Sequence, residues 1–202
     1  LSGAVYTQTT DVEIEVNGHL TYDREQFKLD RDRVREANLR LQENLPLLTT
    51  LQPTSERDGQ RWRVSEKRPD GNWMATDFDD TKWSQAPGAF GDKKKHPLLV
   101  GTEWTEGPRW FRRPFIVPEY AEGEIGLLVH HEGNAEIFVN GEQVPDAVSR
   151  GPMAGYRVLR LTEAQRAKMI PGSWNQLAVV VEPGEEENFF DAGVIFIHPQ
   201  DP

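Results

Sequence analysis

The sequence contains no cysteine among its 202 residues. Disulfide bonds, zinc sites built on thiolates and cysteine nucleophiles are therefore excluded. The redox compartment stays open, because secreted proteins need not contain cystine. The chain also lacks the motifs of several enzyme classes: it has no serine-triad order, no glycine-rich phosphate loop and no His-Glu-x-x-His helix.

Long apolar runs are absent as well. No stretch approaches the roughly 20 residues that span a bilayer, and the first residues lack the charged-then-apolar order of a signal peptide. We therefore expect no membrane contact. The chain begins at Leu1 rather than Met and enters at once into Ala4-Val5-Tyr6, which predicts a chain cut or processed from something larger.

Basic residues are few for a nucleic-acid binder. The chain carries 33 acidic and 23 basic residues, for a formal net charge of -10, and this balance opposes contact with phosphates. The one compact basic run, Lys93-Lys94-Lys95, lies between Gly91 and Pro97 and is interpreted as a solvated loop. No nucleic-acid partner is expected.

Residues 1–50 differ in pattern from the rest. Leu1 to Tyr6 is compatible with one short strand, and Asp30 to Asn44 predicts a helix that Asp30 caps and Pro46 ends. Its apolar residues recur at steps of three and four: Val34, Ala37, Leu41 and Leu45. Such an amphipathic helix needs a partner surface, which a homodimer through the helix could supply. A strand followed by a helix is one βα unit and cannot form a core alone.

Residues 51–60 are the predicted linker, because the stretch from Leu47 to Gln60 lacks periodicity and ends in turn-forming residues. Residues 61–202 are predicted to form an antiparallel β-sandwich or jelly roll. Its strand candidates are Arg61–Lys67, Trp110–Val117, Glu124–His131, Ala135–Asn140, Tyr156–Leu161, Gln176–Val181 and Gly193–His198. Asn140-Gly141 predicts a tight hairpin, and Thr162 to Met169 predicts a brief capped helix.

Three carboxylates, Asp77, Asp79 and Asp80, lie within four residues. Calcium takes six to eight oxygen ligands, and clustered aspartates can supply some of them. The spacing lacks the glycine and the distal glutamate of an EF-hand, and aspartate-rich turns often serve only as caps. We favour a structural turn over a calcium site, and no cofactor is expected to be required.

The run from Trp110 to Phe115 alternates bulky and basic residues, so that Arg112 and Arg113 point to opposite faces of a strand. Phe111 and Phe115 predict the buried face. Arg113 lies between them and is expected to need a carboxylate partner, for which the Asp77 to Asp80 group is the candidate.

Aromatic residues in loop-like or strand-edge settings are candidates for carbohydrate binding. Sugars stack their apolar faces on aromatic rings, while their hydroxyls form hydrogen bonds with polar neighbours. Trp73, Trp104 and Tyr156 are the candidates in this chain. For each of them taken singly, a place in the core or at its rim is the competing interpretation.

The acidic residues Asp11, Glu13 and Glu15 raise the question of glycoside cleavage. A retaining pair needs about 5–5.5 Å between its carboxyl groups, whereas residues two apart on a strand lie roughly 7 Å apart on one face. These sequence neighbours are therefore poor candidates for opposing catalytic roles.

The residues Ala4 to Glu13, with Glu15-Val16-Asn17-Gly18 and Thr21 to Arg24, resemble the end of the catalytic barrel in β-galactosidase-like members of glycoside hydrolase family 2. The resemblance implies that residues 1–50 are a remnant of the last strand and helix of a (β/α)8 barrel. It also implies that Thr7, Gln8, Asp11 and Glu13 lie at the barrel rim of a parent enzyme. The family's catalytic glutamates come from earlier strands, so this chain alone is expected to be inactive.

The remaining residues are similar to the galactose-binding-like jelly roll of the same family. The similarity rests on Phe78-Asp79-Asp80, on Trp110 to Phe115, on Ala135 to Gly141 and on Gly155-Tyr156. It implies an accessory module, with carbohydrate or the parent enzyme's catalytic domain as partner, and it favours a periplasmic or secreted protein. The alternatives are a bracing module without sugar affinity and an independent hydrolase that uses Asp11, Glu13 or the Asp77 to Asp80 group.

Overall fold

The computed structural model describes residues 9–12, 14–16, 18–40, 47–119, 123–145, 155–184 and 188–199. The chain divides into two compact units, Leu1–Leu45 and Pro46–Pro202. Within the described ranges, no helix is both long and apolar enough to cross a membrane.

The first unit contains helix α1, Arg31–Arg40. The side chain of Asp30 accepts hydrogen bonds from the backbone N–H groups of Asp32 (3.0 Å) and Arg33 (3.1 Å), which confirms the predicted cap. The predicted strand from Leu1 to Tyr6, and the part of the predicted helix beyond Arg40, lie outside the described residues.

The second unit is built from two β-sheets, which confirms the predicted antiparallel β-sandwich. The first sheet has the order β10 (Arg157–Arg160), β7 (Glu124–Glu132), β12 (Phe189–Ile197), β4 (Phe90–Gly91) and β5 (Thr102–Glu103), and β1 (Leu48–Gln52) also pairs with β12. The second sheet has the order β3 (Ser84–Pro87), β2 (Arg61–Ser65), β6 (Arg109–Ile116), β11 (Trp174–Glu182), β8 (Asn134–Val139) and β9 (Glu142–Gln143). A short helix, α2 (Glu163–Arg166), is capped by Thr162 as predicted.

The core lies between the two sheets and follows from the alternation of side chains along each strand. Phe111 and Phe115 of β6 face inward, as predicted, and are almost fully buried. The ring of Phe111 packs against that of Phe190 in the opposite sheet, with centroids 4.5 Å apart. The ring of Trp62 reaches Phe190 at 5.2 Å. Aromatic contacts therefore join the two sheets at the centre of the sandwich.

Strand β12 occupies the centre of the first sheet. It pairs with β7 along its whole length, with β4 at its first residues and with β1 at its last residues. Every residue from Phe189 to Ile197 is buried. The strand is a nearly continuous apolar run, as expected for residues that are all buried.

The predicted linker, residues 51–60, is wrong in its first two residues, since Leu51 and Gln52 belong to strand β1. The sequence of β1, Leu-Thr-Thr-Leu-Gln, does not alternate between apolar and polar residues, so it lacks the pattern of a half-buried strand. The pairing depends on Gly193 of β12, where an added Cβ would lie 2.6 Å from the carbonyl oxygen of Gln52. The boundary between the two compact units lies earlier than the predicted linker, between Leu45 and Pro46.

The outer face of the second sheet is partly covered by the segment that joins β2 to β3. Trp73 of this segment packs edge-on against Phe138 of β8, with ring centroids 5.6 Å apart. Together with Trp110 and Ala178 these residues form a second hydrophobic cluster. This segment therefore forms a third layer over part of the second sheet.

The hairpin between β8 and β9 is confirmed. Asn140 and Gly141 have φ values of 49° and 85°, which are the two left-handed conformations of a type I′ turn. The side chain of Asn140 adds a bond to the Asn175 side chain (2.8 Å) and accepts one from the backbone N–H of Gln176 (2.8 Å). The turn is thus tied to the neighbouring strand β11.

Replacing Gly141 with alanine is expected to lower the free energy of unfolding by about 1 kcal/mol. Space is not the cause, because the nearest atom to an added Cβ is the Met74 carbonyl oxygen at 4.0 Å. The cost comes from holding an L-residue in the left-handed region. Urea unfolding measures it, and Gly141→Asn is the matched control, since asparagine tolerates this region and should lose less. Equal losses in both variants would contradict this account.

Candidate functional site

A cavity of about 620 Å³ lies on the outer face of the first sheet. Residues 53–60, which connect β1 to β2, form one wall. Leu128, Gly193 and Ile195 form the floor; they point outward because Leu127 and Val194, their neighbours along the strands, point into the core. We call this cavity the β1–β2 cleft.

The wall of the cleft is polar and charged. Glu56, Arg57 and Asp58 line it and are exposed. The hydroxyl of Thr54 donates a hydrogen bond to Glu56 (2.9 Å), and the side-chain amide of Gln60 donates one to the Asp58 carbonyl (2.9 Å). The cleft therefore combines an apolar floor with hydrogen-bonding groups of both kinds on its wall.

Asp191 of β12 holds the 53–60 loop on the sheet. Its carboxylate is fully buried. It accepts hydrogen bonds from the backbone N–H of Ser55 (2.6 Å), the hydroxyl of Ser55 (3.0 Å) and the hydroxyl of Tyr156 (2.6 Å). Burial raises the pKa of Asp191, and these hydrogen bonds oppose the rise. These donors belong to Ser55 and Tyr156, which lie far apart in sequence. The carboxylate of Asp191 therefore links two distant parts of the chain.

Tyr156 is therefore a fixed donor rather than a free hydroxyl. Burial is the largest cause that raises its pKa, followed by the negative charge of Asp191. Its ring also packs against the imidazole of His130, with centroids 5.3 Å apart. The residue is half-buried beside the loop that forms the cleft wall.

Arg113 supports the same loop from the inside of the sandwich. Its guanidinium donates to the carbonyl of Pro53 (2.8 Å) and to the side-chain oxygen of Gln60 (2.9 Å). Burial lowers its pKa to about 10, and the charge of Asp191 opposes that change. The guanidinium is thus held behind the cleft wall.

The prediction that Arg113 pairs with a carboxylate of the Asp77 to Asp80 group is wrong. Asp80 instead forms an ion pair with Arg112, at 2.8 Å. Arg112 points to the outer face of the second sheet, which the segment containing Asp80 covers. The sequence pattern placed the two arginines on opposite faces, but it could not show which face that segment covers.

The aspartates of the Asp77 to Asp80 group take different roles. Asp79 accepts hydrogen bonds from the backbone N–H (3.0 Å) and the hydroxyl (2.6 Å) of Thr81, which lower the pKa of Asp79. Asp80 pairs with Arg112, and Asp77 is exposed. In the part of the chain that the structure describes, no three histidine or acidic side chains are grouped as metal ligands. The calcium site stays a prediction from sequence.

Two of the three candidates for sugar stacking have buried rings. Trp73 is 8% exposed and Trp104 is 2% exposed. The indole N–H of Trp104 donates to the carbonyl of Gly107 (2.8 Å), and its ring packs near Phe111. Neither ring offers an open face to a sugar, because the loops that carry them fold back onto the sandwich. The third candidate, Tyr156, is half-buried and donates to Asp191, which also holds the 53–60 loop.

Sequence reasoning missed Trp174, which is 62% exposed. It stands on the outer face of β11, directly opposite Ile116 of β6, which is 45% exposed. The predicted strand began at Gln176, two residues too late to include it. Extending the alternation of Leu177 and Val179 backward along the strand places Trp174 on the outer face.

The barrel-rim candidates fall mostly outside the described residues: Thr7, Gln8 and Glu13 are not among them. Asp11 is described and largely buried. Its carboxylate accepts from the Lys28 ammonium (2.7 Å) and from the backbone N–H of Gly18 (2.9 Å). In the first unit Asp11 therefore links Gly18 to Lys28.

No protein-family model matches this sequence, and no curated protein matches it. Several solved structures are similar to the chain. A β-glucuronidase from Bacteroides uniformis is similar over 75% of this chain at 18% identity, with a TM-score of 0.49. A glycosyl hydrolase family 2 member from Bacteroides cellulosilyticus is similar over 71% at 15% identity, with a TM-score of 0.48. The chain spans 18% of the length of the first and 20% of the second.

Proposed function

We propose that this chain is a non-catalytic accessory domain of a glycoside hydrolase that acts on β-galactoside-like or related glycans, and that its β-sandwich binds carbohydrate at the β1–β2 cleft. The observation that carries the proposal is the cleft itself. Its volume of about 620 Å³ lies within the range of small-molecule sites, roughly 300–1,000 Å³.

The lining of the cleft supports a carbohydrate as the ligand. Sugar rings present an apolar C–H face, which fits the partly exposed side chain of Leu128 on the floor. Their hydroxyls both donate and accept hydrogen bonds, which suits a wall bearing carboxylates beside the guanidinium of Arg57. The sequence resemblance to family 2 supplies the link to a glycoside hydrolase.

The absence of catalysis is supported by the contacts of three of the carboxylates considered for it. Asp11 is paired with Lys28, Asp80 with Arg112, and Asp79 accepts from Thr81. A catalytic acid or nucleophile must instead reach the scissile bond in a pocket. Incubation of the purified chain with aryl glycosides is expected to yield no turnover, and measurable turnover would favour the independent hydrolase.

Carbohydrate binding is tested on a glycan array, followed by calorimetry with the best glycan. Asp58→Asn is expected to weaken binding about tenfold, because a hydrogen bond to a charged group contributes roughly 1.5–3 kcal/mol. Asp70→Asn is the matched control, since Asp70 is also exposed but does not line the cleft. Binding that both variants weaken equally, or that neither weakens, would remove the cleft as the site.

The second candidate function is a bracing module without sugar affinity. Two observations favour it: Trp73 and Trp104 are buried in the sandwich, and Trp174 and Ile116 form an exposed apolar patch that suits contact with another domain. Absence of binding to every glycan on the array would decide in favour of this function.

A further inference from the structure

We propose that the β1–β2 cleft selects sugars by charge, and that it takes a neutral or amino-substituted hexopyranose in preference to a hexuronate. The inference rests on the proposed carbohydrate binding at this cleft. It adds the chemical class of ligand, which the fold alone does not give.

The charged side chains on the cleft wall carry a net negative charge. Glu56 and Asp58 stand on either side of Arg57, and all three are exposed. Among the described residues, no cation lies within ion-pair distance of Glu56 or Asp58. The wall therefore carries two carboxylates and one guanidinium, and the Glu56 carboxylate also accepts a hydrogen bond from the hydroxyl of Thr54.

Arg113, the other arginine near the cleft, is held by hydrogen bonds within the protein. Arg113 donates to the Pro53 carbonyl and to the Gln60 side chain, behind the wall. Arg113 is buried and does not line the cleft, so the charge that a ligand meets on the wall is that of Glu56, Arg57 and Asp58.

A hexuronate would bring a third carboxylate into this arrangement. Like charges a few ångströms apart repel, and the repulsion is moderate where solvent screens it. The formal charge of -10 on the whole chain adds a field that opposes the approach of acidic glycans. The hydroxyls of a neutral sugar can donate to both carboxylates, and an ammonium group adds attraction.

The test uses three methyl β-glycopyranosides that share one ring: the galactoside, the 2-amino-2-deoxygalactoside and the galacturonide. Each is titrated into the ¹⁵N-labelled chain while the backbone amide signals of residues 53–60 are followed. We expect the galacturonide to bind at least fivefold more weakly than the galactoside, and the amino sugar to bind at least as tightly as the galactoside. Added salt should reduce both differences in affinity, because it screens the charges.

The double variant Glu56→Gln with Asp58→Asn leaves Arg57 as the one charged side chain among the lining residues, so we expect the preference for the galactoside over the galacturonide to be lost or reversed. The matched control is Glu106→Gln with Asp70→Asn, which removes the same charge from exposed positions outside the cleft wall. The control should keep the selectivity of the unmodified chain. If it loses selectivity as the cleft variant does, the field of the whole chain selects the sugar and the inference is overturned.

Two further outcomes separate this inference from the proposed function. If the three sugars bind equally, or the galacturonide binds most tightly and Arg57→Ala abolishes that binding, charge selection is overturned while carbohydrate binding at the cleft stands. If none of the three shifts the signals of residues 53–60, the inference is also overturned. In that case the proposed function survives if Asp58→Asn weakens a glycan found on the array.

Discussion

Replacing Asp191 with alanine is expected to lower the free energy of unfolding by about 3–5 kcal/mol. The carboxylate is fully buried and accepts bonds from the N–H and hydroxyl of Ser55 and from the hydroxyl of Tyr156. Its loss leaves these donors without their acceptor and removes a negative charge that raises the pKa of Arg113. Each buried polar group left unpaired costs roughly 1–3 kcal/mol. Urea unfolding, followed by circular dichroism, measures the change.

Asp191→Asn separates shape from charge in this experiment. Asparagine keeps the volume and one acceptor oxygen, so its expected loss is smaller than that of alanine. Asp70→Ala, at an exposed position, is the control and should stay within about 0.5 kcal/mol of the unmodified protein. Hydrogen exchange at the Ser55 amide adds a local readout, because that amide loses its acceptor. A loss below about 1 kcal/mol for Asp191→Ala would show that the loop is held by other contacts.

The second large effect is expected for Arg112→Ala, with a loss of about 3–5 kcal/mol. The guanidinium is 1% exposed. It donates to the carboxylate of Asp80 (2.8 Å), to the carbonyls of Trp73 and Ala75, and to the side-chain oxygen of Gln176 (3.2 Å). Truncation leaves these acceptors, three of which belong to the covering segment, without a donor.

Arg63→Ala is the matched control for Arg112→Ala. Arg63 lies 3.8 Å from the same Asp80 carboxylate but is partly exposed, and such pairs contribute about 0–1 kcal/mol. Arg112→Lys should recover part of the loss, since an ammonium replaces the charge but not the planar set of donors. Similar losses for Arg63→Ala and Arg112→Ala would contradict the role given to Arg112. A red shift in tryptophan fluorescence would report the release of Trp73.

The hairpin and the inward faces of the strands could be predicted from sequence because their signals are local. Asn140-Gly141 specifies its own turn, and the alternation around Phe111 and Phe115 specifies which face is buried. Strands β4 and β5 could not be predicted in this way. Each has two residues, and they pair with each other through Phe90 and Thr102, so their existence depends on neighbours brought close by the fold.

The candidate site was harder to predict than the fold. The cleft is assembled from the 53–60 loop, from Leu128 and from Gly193, which lie far apart in sequence. Asp191 stands in a run of apolar residues and gives no local sign that it holds the loop. Trp73 and Trp104 look like exposed loop residues in sequence, but each loop folds back and covers its indole ring.

The central place of β12 has a consequence for the synthesis of the protein. Strands β1, β4 and β7 all pair with residues 189–197, so each leaves the ribosome well before its partner. Until β12 emerges, β7 has a free edge and the inner face of the first sheet lacks Phe190. Unpaired edges of this kind favour association between chains. The first sheet therefore forms late, and a nascent chain that ends before Phe189 cannot complete the core.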